Sequence, residues 1–196
     1  GNSLYIPSLD LPLEQLQGDL TFDDNKTGID DLQATLWGQP LRVQYAGEQQ
    51  DKEYQVKLGL DGEWDNQRDA VLPTLAHQTL QGQANWQGSL DLHLYKGGHY
   101  YYDAQLTSPL SALALDLPAP YNKPAGRNWP LQVKISGNQD SSVIKGSLNH
   151  EWQLQADWSP EQKQFRRFWL DNQVIERSTG PRLPFSVSTI LSEADV

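Results

Sequence analysis

The 196 residues carry 15 Lys and Arg against 25 Asp and Glu, for a formal net charge of −10, with 37% apolar and 10% aromatic residues. A chain of this length builds one domain, or two small ones, around a real core, and its aromatic content is not that of a disordered segment. Zero Cys excludes disulfides, thiolate metal sites and a Cys nucleophile, and no run approaches the roughly 18 consecutive apolar residues of a membrane helix.

The charge is uneven. Residues 1–70 hold 14 acidic and 5 basic side chains, and residues 71–196 hold 11 and 10. No basic field builds anywhere, which argues against nucleic acid as a partner, and the acidic half reads as a solvated outer face. The first residue is Gly and the chain contains no Met. It is therefore expected to be one segment, 1–196, of a longer protein.

In chain order, Asp23-Asp24-Asn25-Lys26-Thr27-Gly28 predicts a hairpin turn. Leu41, Val43 and Tyr45 then alternate with Arg42 and Gln44. Tyr54, Val56, Leu58, Leu60 and Trp64 keep one parity, as do Leu80, Ala84, Trp86, Leu90, Leu92 and Leu94. Between these runs, Asp69 to Leu80 has the spacing of a short helix, with Pro73 early and Gly82 just past its end. Lys96-Gly97-Gly98 and Ser136-Gly137-Asn138 read as turns. Leu113, Leu115 and Leu117 precede a Pro-rich connection over 117–126, whose three prolines have no place in a central strand. Trp129, Leu131, Val133 and Ile135 follow. The longest run is Ile144 to Trp158, through Leu148, His150, Trp152 and Leu154; unbroken, it would span roughly 50 Å at about 3.3 Å per residue, so a bent or bulged strand or an unusually deep sheet is expected. Phe165, Phe168, Trp169 and Leu170 are strand-like, Phe185 and Val187 suggest a last strand, and 192–196 a frayed tail. A period of two nearly throughout predicts a mainly β fold, an antiparallel sheet with one dry face and one wet face.

An aliphatic-x-Gly pattern recurs at Gly18, Gly62, Gly82, Gly137 and Gly146, with each Gly in phase with the apolar residues. Glycine on a buried face lets a strand bend inward, so these positions are read either as ordinary bulges or strand starts, or as repeated bending points that curl the sheet into a long, open groove with an apolar concave face.

Motifs for chemistry are missing. Asp23, Asn25, Thr27 and Gly28 match the opening of a calcium loop, but its twelfth position is Ala34, where a bidentate Glu is required. His77, His93, His99 and His150 form no metal-type pair; His150 has the parity of a core or groove residue, and His93 lies on the wet face. No G-x-S-x-G elbow or phosphate loop occurs. Asp91, Asp103, Asp116 and Glu151 are the acids within expected strands, with the parity of solvated surface. Tyr100, Tyr101 and Tyr102 must face both sides of one strand, whereas Trp64, Trp86, Trp129, Trp152 and Trp158 share the parity that fills the dry face. The residues call for no enzyme, cofactor or metal.

Three stretches carry a family resemblance. Leu16 to Tyr45 reads L-Q-G-D-L-T-F, then G-I-D-D-L-Q-A-T-L-W-G-Q-P-L-R-V-Q-Y; Leu72 to Leu94 and Gln105 to Val133 extend it, and L-A-L-D-L-P-A-P-Y-N-K-P-A-G over 113–126 is the most specific part. Together they resemble an internal segment of the large YhdP proteins of Gram-negative bacteria, in the AsmA-like family. The resemblance implies a periplasmic part of a protein anchored in the inner membrane, similar to chorein-type bridge proteins, whose curled sheet conducts phospholipid between inner and outer membranes. It implies phospholipid acyl chains and neighbouring segments of the same long chain as partners, and no membrane insertion by this segment. On that reading the expected groove residues are Val43, Val56, Leu58, Leu60, Trp64, Trp86, Leu92, Leu115, Leu131, Val133, Leu148 and Leu154. The same parity also suits a carbohydrate-binding β-sandwich or a closed-core interaction module, in which a second sheet covers the dry face.

Overall fold

The computed structural model describes residues 3–6, 11–66, 79–118, 122–162 and 164–172. Among the described residues thirteen strands follow one another: β1 (Leu4–Ile6), β2 (Leu11–Gln17), β3 (Thr21–Asp23), β4 (Lys26–Leu36), β5 (Gln39–Gln49), β6 (Glu53–Asp65), β7 (Leu80–Tyr95), β8 (Tyr100–Ser108), β9 (Leu113–Leu115), β10 (Leu131–Asn138), β11 (Ser142–Leu148), β12 (Trp152–Ser159) and β13 (Gln164–Asn172). They form one antiparallel sheet in the order β1-β2-β4-β5-β6-β7-β8-β10-β11-β12-β13. Short β3 pairs with β4, and β9 pairs with the start of β7. The two ends of the path do not pair with each other, so the sheet is open. Ten steps of about 4.8 Å make it roughly 48 Å from end to end.

Eight of the ten neighbouring pairs on this path are also consecutive in sequence, several of them joined by tight turns. Trp37 and Gly38, with φ of 51° and 77°, make the two-residue link from β4 to β5, and Gly97 and Gly98, at 99° and 85°, lie in the turn between β7 and β8. Positive φ at both centres gives a hairpin the twist its strands need, and glycine adopts it without a Cβ penalty. Between β10 and β11 the turn falls later than expected: Ser136, Gly137 and Asn138 still belong to β10. The Asn138 side chain ends the strand, its Oδ1 accepting from the backbone N–H of Asp140 and Ser141 at 2.9 and 3.0 Å.

The run from Ile144 to Trp158 is two strands, not one bent strand. Asn149, His150 and Glu151 link β11 to β12, with φ of 52° and 57° at the first two. Leu148 and Trp152 are paired across the hairpin and lie four positions apart, so the apolar parity passes through the turn undisturbed. His150 accordingly sits exposed in a turn rather than in a core or groove. Trp129 likewise precedes β10, its backbone N–H donating to the Pro109 carbonyl at 3.0 Å. The helix expected over 69–80 falls outside the described residues except at its end, where Leu80 opens β7. Phe185, Val187 and 192–196 also fall outside them.

The best-buried apolar side chains are Ala34, Leu41, Val43, Ala84, Leu113, Trp129 and Ala156. Except for Val43 and Ala156, they gather toward the sheet edge where β8 ends and β10 begins. There the N–H of Lys123 and that of Leu115 each donate to the other's carbonyl at 3.0 and 2.8 Å, and buried Lys123 donates from Nζ to the Leu113 carbonyl. Burial, followed by the charge of Arg127, lowers the Lys123 pKa below the usual lysine range.

Candidate functional site

The register settles which side chains share a face. Leu32 faces Val43, Val43 faces Leu60, Leu60 faces Gly88, and Gly88 faces Leu106. The row continues through Val133, Gly146, Leu154 and Leu170 on β10 to β13. No polar side chain interrupts it. A second row, one step along each strand, runs from Ile29 and Tyr45 through Leu58, Leu90, Ala104, Ile135, Ile144 and Ala156 to Phe168. The two rows lie roughly 6.6 Å apart, at about 3.3 Å per residue. Alternate positions (Arg42, Gln44, Lys57, Gln87, Gln132, Lys134, Lys145) fall on the other face and are exposed. Hollows on that polar face include one of about 1130 Å³ lined by Gln44, Lys57, Ser89, Gln105, Lys134 and Lys145.

Eleven of the expected groove residues share the apolar face. Val43, Leu60, Val133 and Leu154 lie in the first row, Leu58 in the second, Val56 and Leu92 in the next row toward the β7–β8 turn, and Trp64, Trp86, Leu131 and Leu148 toward the opposite edge. Leu115 is placed apart from them, on β9 opposite Leu80. Leu32, Leu90, Leu106, Ile135 and Ile144 belong to the face as fully as the named eleven. Most of these side chains are half-buried against one another. Among the described residues no second sheet covers them.

The in-phase glycines make room on this face. A Cβ on Gly62 would lie 2.3 Å from Cε2 and Cζ2 of Trp86, and one on Gly146 would lie 3.2 Å from the Leu154 Cβ. The indole of Trp86 thus lies down over β6 instead of standing up from the sheet.

One polar group on the face was not apparent from the sequence. The Tyr45 and Tyr54 hydroxyls are 2.8 Å apart, and Thr27 Oγ1 lies 3.1 and 2.9 Å from them. The three meet above Gly47, where a Cβ would come within 2.1 Å of Tyr54. Burial raises the Tyr45 pKa above 10.0; the Thr27 hydrogen bond opposes this and Tyr54 adds to it. The only sequence signal is Gly47 in phase with Tyr45, and the partners come from three strands. Further along, the Tyr102 hydroxyl lies 2.7 Å from Ser142 Oγ.

Other candidates for chemistry are taken up by structural contacts. Asp91 and Asp103 stand directly opposite on the polar face. Asp91 accepts from Gln55 Nε2 at 2.8 Å and lies 3.3 Å from His93 Nε2, while Asp103 accepts from the Tyr101 hydroxyl. Asp116 and Glu151 lie outside the strands. Among the described residues no group of three His, Cys, Asp or Glu has the arrangement of a metal site, and no helix is long and apolar enough to cross a membrane.

The family model described as YhdP protein matches residues 1–196. The chain belongs to the YhdP family. It is 31% identical over 185 residues, 93% of its length, to the intermembrane phospholipid transporter YhdP of Escherichia coli (strain K12). It spans 14% of that YhdP relative. No solved structure matches the chain.

Proposed function

We propose that this segment forms part of a non-enzymatic, lipid-conducting sheet in the periplasm, along which phospholipid passes between inner and outer membranes with its acyl chains on the apolar face. The observation that carries this reading is an uninterrupted apolar row from β4 to β13 and a second beside it, apolar from β6 to β13, half-buried and without a second sheet over them among the described residues. The rows run across the strands, along the long direction of the sheet. A methylene group leaving water gains about 0.8 kcal/mol wherever it lands on them, so a tail is held without a specific polar contact and can slide between equivalent positions. The identity of the Escherichia coli relative as an intermembrane phospholipid transporter supports phospholipid as the cargo. Sheet segments before and after this one, in the same long chain, would continue the rows in both directions.

A test is lipid extraction from the purified full chain and from its Val133→Asp and Gln132→Asp variants. These neighbours lie on opposite faces of β10. The reading predicts co-purified phospholipid in the wild type and in Gln132→Asp, and a clear loss in Val133→Asp with the β-sheet circular dichroism intact. Equal phospholipid in the two variants contradicts it. Tight oligosaccharide binding without phospholipid moves the assignment to a carbohydrate-binding face.

A further inference from the structure

Resting on that reading, we infer that the apolar face has a headgroup side and a tail side, and that the hydroxyls of Thr27, Tyr45 and Tyr54, and of Tyr102 and Ser142, grouped toward one edge, hold the phospholipid headgroup. The face is graded across its width. Toward the hairpin ends at 50–52, 96–99 and 139–141 it carries the Thr27–Tyr45–Tyr54 cluster and the Tyr102–Ser142 pair, set among Val56, Leu92 and Trp158. The middle is the row through Val43, Leu60 and Val133 and, from β6 onward, the row through Leu58, Ile135 and Ile144. Toward the opposite edge it carries Trp64, Trp86 and Trp152, next to the buried Ala84, Leu113 and Trp129. An amphiphile laid across this gradient has one favourable orientation, because Thr27, Tyr45, Tyr54 and Tyr102 on one side are only half-buried, whereas Gln39 and Ser108 on the other are buried and already bonded to backbone carbonyls.

The hydroxyl cluster has unused capacity. Each hydroxyl offers one proton and about two lone pairs. Three contacts among three hydroxyls consume at most three protons and three lone pairs, which leaves acceptor sites for an ammonium. Rotating one hydroxyl out of the ring frees a donor for a phosphate oxygen. Gly47 keeps this group open, since any side chain there would displace both tyrosines. At the far edge the tryptophans present large apolar ring area, suited to methyl ends.

The chain contains no Cys, so single cysteines report cleanly once any others in the full protein are replaced. Leu94→Cys places a thiol on the hydroxyl side, Leu148→Cys on the tryptophan side, Leu90→Cys in the middle and Gln132→Cys on the polar face. Each variant of the full protein is reacted with phospholipid bearing maleimide on the headgroup, and separately with phospholipid bearing it at the tail end. Headgroup maleimide should label Leu94→Cys about tenfold more than Leu148→Cys, an energy difference of about 1.4 kcal/mol, and the tail probe should reverse that order. Adding Tyr45→Phe and Tyr54→Phe should lower headgroup labelling of Leu94→Cys severalfold and leave tail labelling of Leu90→Cys unchanged. Equal labelling of both sides by both probes, or the reversed order, overturns the headgroup assignment and leaves the lipid reading standing. Labelling of every apolar position at the level of Gln132→Cys overturns the lipid reading, and this inference with it.

Discussion

Trp86 lies flat across Gly62. The two residues face each other on β7 and β6, and the space a Cβ would take at position 62 is occupied by the indole at 2.3 Å. Gly62→Ala should therefore destabilise the chain by about 1–3 kcal/mol, the usual cost of forcing atoms into a filled site. Trp86→Leu in the same chain should recover most of that loss. Urea unfolding of the two single variants and the double variant measures the coupling; strict additivity would show that the contact carries no energy.

The Thr27–Tyr45–Tyr54 cluster makes a second prediction. Tyr45→Phe and Tyr54→Phe should each cost about 1 kcal/mol, and together less than their sum, because the second change acts on a ring already broken. There is also a pH signature. Burial raises the folded pKa of Tyr45 above its ordinary 10.0, so its contribution to stability is fully present below pH 10.0 and is lost as pH rises through the folded value. The alkaline fall in melting temperature should be shallower in Tyr45→Phe than in the wild type. An unchanged slope contradicts this.

The link between β11 and β12 is a third place to look. Asn149 and His150 are left-handed, with φ of 52° and 57°. Asn149→Val should cost about 1–2 kcal/mol, since a β-branched side chain is strained there, while His150→Gly should be neutral or stabilising. Thermal melting of the two variants checks the pair. A loss on His150→Gly as large as that on Asn149→Val would mean that the imidazole makes a contact of its own.

That turn also shows where the sequence misleads. Period-two alternation correctly groups Val56, Leu58 and Leu60 with Leu90 and Leu92, because strand parity survives any register and each of these strands has one wet face. Parity does not mark where a strand ends when the link has an odd number of residues. Leu148 and Trp152 stay in phase across three turn residues, so two strands read as one and His150 reads as inward-facing. The role of the glycines was only half legible: a pattern shows that position 62 lacks a side chain, but not that Trp86, more than twenty residues away, fills the space. The hydroxyl cluster lay beyond reach for the same reason, since Thr27, Tyr45 and Tyr54 meet only once the β4–β5–β6 register is fixed.

The central claim is that lipid touches one face of this sheet and not the other. Val133 and Gln132 are adjacent on β10 and point to opposite faces, Val133 between Leu106 and Gly146, Gln132 between Thr107 and Ser147. The most direct measurement places a photoreactive amino acid at each position in turn in the full chain, irradiates cells, and quantifies phospholipid attached to the purified protein by mass spectrometry. The account predicts attachment from position 133 at least about tenfold above position 132, the ratio for an energy difference of about 1.4 kcal/mol. Equal attachment from the two positions would contradict it.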